Sequence, residues 1–181
     1  MAMHDPAGLL AAARDELARF PAALECLLAG LDGAGWRAHP APKEWAPVEI
    51  VCHLRDEEVE DFGARVRVII EGGAVFAPID PERWAVERDY LQADGPATLA
   101  ELARRRAASV AWLTTIAADR LTRVVETPRA GRLSGLDLVA AWVAHDRLHL
   151  AQLASTLVRN WATRWAPLRA EYAGPLPFDN A

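Results

Sequence analysis

The chain has 181 residues, of which 52% are apolar and 25% are charged, which is typical of one globular domain spanning residues 1–181. Its net charge of −5 argues against a nucleic-acid-binding protein, and its apolar stretches are interrupted by charges too often to cross a membrane. The two cysteines belong to no paired motif, and the N-terminus does not resemble a signal peptide. We therefore predict a cytoplasmic protein that binds neither nucleic acid nor membranes.

The first third of the sequence predicts two helices. Asp5 and Pro6 can begin the first helix, which ends near Gly30 and should kink or break at Pro21. Residues 30–45 are rich in glycine and proline and indicate a loop. The second helix begins near Pro47 and ends at residues 72–73, which are both glycine.

The remaining sequence predicts two more helices after a long connection, residues 72–97. A connection of this length can run along the whole bundle, so we expect helices two and three to be parallel. Thr98 and Glu101 match a capping box at the start of helix three, which extends to about Ala118. After a short extended piece, Ser134 can begin helix four, which continues to about Asn160. The predicted fold is an all-α, up-down-down-up four-helix bundle with a long crossover between helices two and three.

The histidines of the predicted helices suggest a metal site. His145 and His149 are four residues apart, so their imidazoles leave one face of helix four. This spacing fits either two metal ligands or two core histidines bonded to backbone or carboxylate groups. His53, within helix two, is the best candidate for a third ligand and favours the metal, whereas His4 and His39 lie in predicted terminal or loop segments.

Two motifs resemble the DinB/YfiT-like superfamily of metal-binding proteins over roughly residues 5–160. One motif is W-x-P-x-E-x-x-x-H-L around His53, and the other is H-D-x-x-H-x-x-Q from His145. The resemblance implies a four-helix bundle with parallel second and third helices and one divalent metal, often zinc or nickel, on His53, His145 and His149. It also implies that Gln152 has a structural role or supports a ligand. Ala46 departs from the family, which often has a serine or threonine helix cap there.

The resemblance also implies a reaction. Some relatives use the metal to activate a low-molecular-weight thiol such as mycothiol, bacillithiol or glutathione, which they transfer to a small electrophile or use to isomerise one. We therefore predict a metal-dependent thiol transferase or isomerase with a small-molecule substrate. We also expect a homodimer. The alternative is a non-catalytic, metal-stabilised bundle that serves in binding or in a stress response.

Several neighbours of the histidines have more than one interpretation. Asp146 is more consistent with an arginine partner, or with orienting His149, than with the base of a protease, because no further ligand motif follows. Glu49 and Glu57 lie one turn either side of His53. They can orient its imidazole or act as a base, but we favour solvent-facing positions for both.

Other residues complete the predicted surroundings of the site. We expect Cys52 to be buried and inert, and Trp142 either to belong to the core or to wall the pocket. The three consecutive arginines at residues 104–106 point in different directions on a helix, so we interpret them as solvated surface. At the mouth of the site, the available cations for a carboxylate-bearing thiol are Arg37, Lys43 and Arg83.

Overall fold

A computed structural model describes residues 5–128 and 131–175 and confirms the all-α four-helix bundle. The helices of the bundle are α1 (Pro6–Leu28), α3 (Pro47–Glu57) continued by a π-helical turn (Glu58–Phe62) and α4 (Gly63–Ile70), α6 (Gly95–Thr114) and α7 (Gly135–Trp165). Shorter elements are α2 (Gly33–Trp36), α5 (Pro81–Glu87), the 3₁₀ turns Tyr90–Gln92, Ala118–Thr122 and Glu171–Ala173, and strands β1 (Val124–Thr127) and β2 (Gly131–Ser134).

The contacts between helices establish the topology. Cys52 contacts Thr98, and fifteen residues after Cys52 the guanidinium of Arg67 lies 3.7 Å from the ring centre of Trp112. Both partners advance together along the chain, so the second and third bundle helices are parallel, as predicted from the length of the crossover.

Two other pairs of neighbouring helices are antiparallel. Along α7, Trp142 stacks on Phe62 and the later His149 lies against the earlier His53, so α7 is antiparallel to the second bundle helix. Residues 28 and 99 line one cavity, whereas the carbonyl of residue 17 accepts a hydrogen bond from residue 106, so α1 is antiparallel to α6. Together these directions give the predicted up-down-down-up arrangement.

Capping residues stabilise the starts of the helices, and the cap that we predicted for helix three was wrong. The Ser134 hydroxyl accepts from the Asp137 N–H, and the Asp137 carboxylate accepts from the Ser134 N–H, as a capping box requires. The predicted box at Thr98 is wrong, because α6 begins one turn earlier, where the Asp94 carboxylate accepts from the Ala97 N–H. The Thr98 hydroxyl instead donates to the Asp94 carbonyl. This helix ends at residue 114, not near residue 118.

Proline does not break α1, contrary to one of the predicted outcomes. The helix continues from Pro6 to Leu28 with Pro21 buried inside it. The extended piece predicted after helix three is confirmed as β1, which pairs antiparallel with β2. Within the described residues, no helix is both long and apolar enough to cross a membrane.

The core has two apolar clusters, one toward each end of the bundle. One contains Leu24, Val51, Leu102 and Leu153, and the other contains Leu17, Val66, Leu113 and Trp142. Between these clusters, three bundle helices carry buried polar residues: His53, Asp56, Glu57 and Glu58 on the second, Arg106 on the third and Asp146 on the fourth. The fold therefore places a polar layer at mid-height, where burial makes unpaired charges costly.

Candidate metal centre

The three predicted ligands meet at this polar layer. Their side chains leave facing surfaces of α3 and α7, and the nearest ligand atoms of all three lie within 4.8 Å of one another. The Nε2 atom of His149 lies 3.1 Å from Nε2 of His53 and 3.0 Å from Nε2 of His145. The antiparallel packing of two helices thus brings residues 96 positions apart into one cluster.

The protonation states suit a metal. Burial lowers the pKa of both His53 and His149 to about 4, so both imidazoles are neutral at physiological pH. The Nδ1 atom of His149 lies 2.7 Å from the Gln152 side-chain oxygen, which can only accept. Nδ1 therefore carries the proton, and the Nε2 lone pair faces the other two histidines. This contact fits the supporting role that the family resemblance implies for Gln152.

The distances also suit a metal. Two nitrogens bound tetrahedrally at 2.0–2.1 Å are separated by about 3.3 Å. The observed 3.0 and 3.1 Å separations are close to that value. A shared cation would stabilise imidazole lone pairs that converge in this way, so the residues present fit a divalent metal.

Glu57 belongs to the same cluster, so our preference for a solvent-facing Glu57 was wrong. Its carboxylate is buried, with Oε2 3.0 Å from His145 Nε2 and Oε1 3.6 Å from His53 Nδ1. Burial raises the pKa of Glu57, but the hydrogen bond from His145 and the nearby imidazoles outweigh this effect and lower the pKa below its usual value. An ionised carboxylate is therefore placed beside the position where a metal-bound molecule would lie.

Glu49 was also expected in solvent, and the structure corrects this prediction as well. It is buried and accepts a hydrogen bond from the backbone N–H of Ala46, at the start of α3. The alanine has no side-chain cap of its own, so Glu49 supplies the stabilisation at this helix end.

Aromatic rings enclose two sides of the histidine cluster. The ring centre of Trp45 lies 4.9 Å from that of His53, and the ring centre of Phe62 lies 4.9 Å from that of His145. Trp142 is buried one layer behind, stacked on Phe62, so it is a core residue, the first of our two interpretations, and does not wall the site directly. The His145 side chain keeps 20% of its surface exposed, so solvent reaches the cluster.

The π-helical turn explains why Phe62 was missed. The turn inserts one residue into the second bundle helix and shifts the face on which later side chains lie. A Cβ on Gly63 would approach the Glu58 carbonyl to 2.9 Å, so glycine is needed where the turn ends. A sequence pattern read with a constant helical period cannot locate this shift.

Behind the histidines, Asp146 binds an arginine from another helix, as one of our interpretations proposed. Nη1 and Nη2 of Arg106 lie 2.6 and 2.9 Å from the two carboxylate oxygens, and Nε lies 2.8 Å from Oε2 of Glu58. The interpretation of residues 104–106 as solvated surface is therefore wrong for Arg106, which is buried. Arg104 is exposed, as expected, and pairs with Glu101.

His39 does not join the cluster. His39 Nδ1 lies 2.6 Å from the carbonyl oxygen of Glu44, in the loop before α3. His4 lies outside the described residues. Cys52 is buried, as predicted, with its sulfur 3.9 Å from the Tyr90 carbonyl.

The cations expected at the mouth have other partners or no contact with the site. Arg37 donates to the carbonyls of Leu91 and Ala93, which ties the loop to the end of the crossover. Arg83 pairs with Glu87 within α5, and Lys43 is exposed in the loop. None of these contacts provides an anion site at the histidines.

The parallel middle helices and the three clustered histidines place this protein in the class of four-helix bundles with a candidate metal site. The model of the DinB superfamily matches residues 16–153, so the chain belongs to that superfamily. Its structure is similar to a solved structure described as "YfiT from Bacillus subtilis is a probable metal-dependent hydrolase with an unusual four-helix bundle topology". The TM-score is 0.73 at 18% identity, over 88% of this chain and 89% of the other, and this likeness establishes the fold. No curated protein sequence matches the chain.

Proposed function

We propose that His53, His145 and His149 hold one divalent ion, zinc or nickel, and that the protein uses it to activate a nucleophile. The convergence of three imidazole nitrogens, two of them on neutral rings, is the observation that carries this proposal. A structural zinc site is closed by four protein ligands, whereas three histidines leave at least one position open. The exposed edge of His145 gives solvent and small molecules access to that position.

The preferred nucleophile is a low-molecular-weight thiol, and the reaction is its transfer to a small electrophile. When bound, the metal supplies the positive charge that lowers the pKa of a thiol or water. Glu57 is the proton acceptor, because its ionised carboxylate lies 3.0 Å from His145 Nε2. The thiol proton passes to Glu57, sulfur forms a bond to the electrophilic carbon, and the leaving group departs with its electron pair.

A hydrolase is the second candidate, and the same carboxylate favours it. Glu57 can take a proton from water as readily as from a thiol, and the structurally similar Bacillus subtilis protein is described as a probable metal-dependent hydrolase. In that case water oxygen bonds to the electrophilic carbon, and the leaving group departs with the electrons of the broken bond. A metal-stabilised bundle without catalysis is the third reading.

Metal content tests the first part of the proposal. Protein purified without chelator should contain about one zinc or nickel ion per chain by mass spectrometry, and the joint change His145→Ala and His149→Ala should remove it. The matched control is His39→Ala, which changes a histidine outside the cluster and should keep the metal. Equal metal content in the double variant and the control would refute the site.

Activity tests the second part. The zinc and nickel forms are incubated with mycothiol, bacillithiol, glutathione or coenzyme A, each with a chlorinated aromatic acceptor or maleylpyruvate, and with activated esters in the absence of thiol. Glu57→Gln should lower kcat about 10²- to 10⁴-fold with the metal still bound. Thiol-dependent rates support the transferase, and thiol-independent ester cleavage supports the hydrolase. If the rates with every substrate equal those of the metal-free His149→Ala protein, both catalytic proposals are refuted and the non-catalytic bundle is supported.

We further propose that the protein is a cytoplasmic homodimer. The proposed chemistry does not depend on either property. Gel filtration with light scattering measures the oligomeric state directly, and a monomer at micromolar concentration would contradict the homodimer.

A further inference from the structure

A cavity of about 320 Å³ lies between the crossover and the β-hairpin. Residues 75–79 of the crossover form one wall, Thr127 and Pro128 of the hairpin form another, and Arg65 of α4 contributes the only charged side chain among the lining residues. Its volume is at the lower end of the range for small-molecule sites. The cavity is therefore suited to a ligand smaller than a typical drug.

The cavity wall combines apolar surface with one arginine. The Arg65 guanidinium carbon lies 5.4 Å from the ring centre of Phe76, and Val75 is 77% exposed at the edge. The Nε side of Arg65 pairs with the buried carboxylate of Asp61. Among the described residues, neither terminal nitrogen of Arg65 donates a hydrogen bond to the protein. Two parallel N–H donors thus remain for a carboxylate, the group that a guanidinium binds best.

We propose that this cavity binds a small carboxylate with an apolar, preferably aromatic, body. The carboxylate pairs with the terminal nitrogens of Arg65, and the body packs on Phe76 and the neighbouring crossover residues. A neutral ligand of the same shape would give the terminal nitrogens of Arg65 no charged acceptor and would bind less tightly. A carboxylate without an apolar body would lack contact with the crossover wall.

The same helix carries the cavity and the histidine centre. Four residues follow one another at four-residue intervals along it: His53, Glu57, Asp61 and Arg65. Asp61 is buried, and it lies in this series between Glu57, which contacts the histidines, and Arg65, which lines the cavity. The bound carboxylate would then be part of the thiol or electrophile that reacts at the metal centre, and this link rests on the proposed function. Carboxylate binding in the cavity is independent of that function, because no lining residue is a histidine of the centre.

Three probes separate the parts of the interaction: benzoate has charge and ring, benzamide has the ring alone, and acetate has the charge alone. Binding is measured by titration of ¹⁵N-labelled protein, following the amide signals of residues 75–77 and 79, since residue 78 is a proline without an N–H. We expect benzoate to shift these signals and to bind at least about tenfold more tightly than benzamide or acetate, the effect of one charge-assisted pair.

Variants assign the effect to Arg65. Arg65→Gln should weaken benzoate about tenfold and leave benzamide within twofold, and Arg65→Lys should restore part of the loss. The matched control is Arg67→Gln, which removes an arginine of the same helix that stacks on Trp112 and does not line the cavity. Circular dichroism and melting temperature establish that each variant is folded.

The metal-free variant with His145→Ala and His149→Ala separates this proposal from the metal. Unchanged benzoate affinity in that variant supports the cavity even if the metal centre has no activity. Loss of binding there would show that benzoate binds a metal directly, and would overturn the proposal. Benzoate affinity equal in Arg65→Gln and the unmodified protein, or shifts outside residues 75–79 only, would also overturn it.

Discussion

The buried ion cluster around Arg106 predicts a large and pH-dependent loss of stability on substitution. Its side chain is only 2% exposed and makes hydrogen bonds to Glu58, to Asp146 and to the carbonyl of Leu17. Arg106→Met keeps a long, flexible side chain but removes the cation. Two buried carboxylates then remain with no opposite charge.

The magnitude follows from this burial. Removing one partner of a buried ion pair costs about 3–5 kcal/mol, against a total stability of about 5–15 kcal/mol for a typical domain. The matched control is Arg104→Met, two residues earlier on the same helix, where the guanidinium is exposed and pairs with Glu101. That exposed pair contributes little to stability, because solvent screens it. The two variants differ in burial and share their chemistry.

Lower pH should relieve the loss. Burial raises the pKa of both Glu58 and Asp146, and Arg106 opposes this effect. Without the cation the folded-state pKa values rise further, while the unfolded values stay near 4. The folded variant then binds more protons than the unfolded chain, so its stability increases as the pH falls from 7 toward 5.

Urea unfolding followed by circular dichroism at pH 7 and pH 5 measures both effects. We expect the free energy of unfolding of Arg106→Met to be about 3–5 kcal/mol below that of the unmodified protein at pH 7, with a smaller difference at pH 5. The reasoning is refuted if Arg106→Met costs no more than Arg104→Met at pH 7, or if its deficit grows on acidification.

Three further outcomes are expected. Gln152→Leu should weaken zinc affinity about 10- to 100-fold in a competition titration, because His149 loses the acceptor that fixes its proton on Nδ1, and an unchanged affinity would contradict this role. Ser134→Ala should lower the free energy of unfolding by about 1 kcal/mol, since α7 loses the acceptor of its capping box, whereas no loss in urea unfolding would count against that cap. The protein, with net charge −5, should not bind duplex DNA specifically, and salt-sensitive submicromolar binding in a fluorescence-anisotropy titration would disprove this.

The bundle and its helix directions could be predicted because they depend on features that are local in sequence. Apolar periodicity marks each helix, and the long segment between residues 72 and 97 implies parallel neighbours. The pair His145 and His149 was visible for the same reason, as a four-residue spacing. The third histidine could be chosen because His53 lies within a predicted helix while His4 and His39 do not, and the family resemblance led to the same choice.

The remaining features depend on partners distant in sequence or on a break in helical period. Arg106 is buried only because Glu58 and Asp146 arrive from two other helices. Glu57 faces the histidines because α7 presents His145 opposite it, and Phe62 does so at the end of a π-helical turn that no residue pattern indicated. The start of α6 was misplaced because T-x-x-E and the true cap, Asp94, are both good helix-start signals within one turn of each other.

The 96-residue separation between His53 and His149 gives the proposed metal centre a consequence for the whole chain. An ion bound by both histidines would close a long loop of the chain, and only the folded state would offer this binding site. By mass action, a free metal concentration 100 times the dissociation constant adds about 2.7 kcal/mol to the free energy of unfolding. The melting temperature would then rise with metal supply, and a cell depleted of the ion would clear the protein faster by proteolysis.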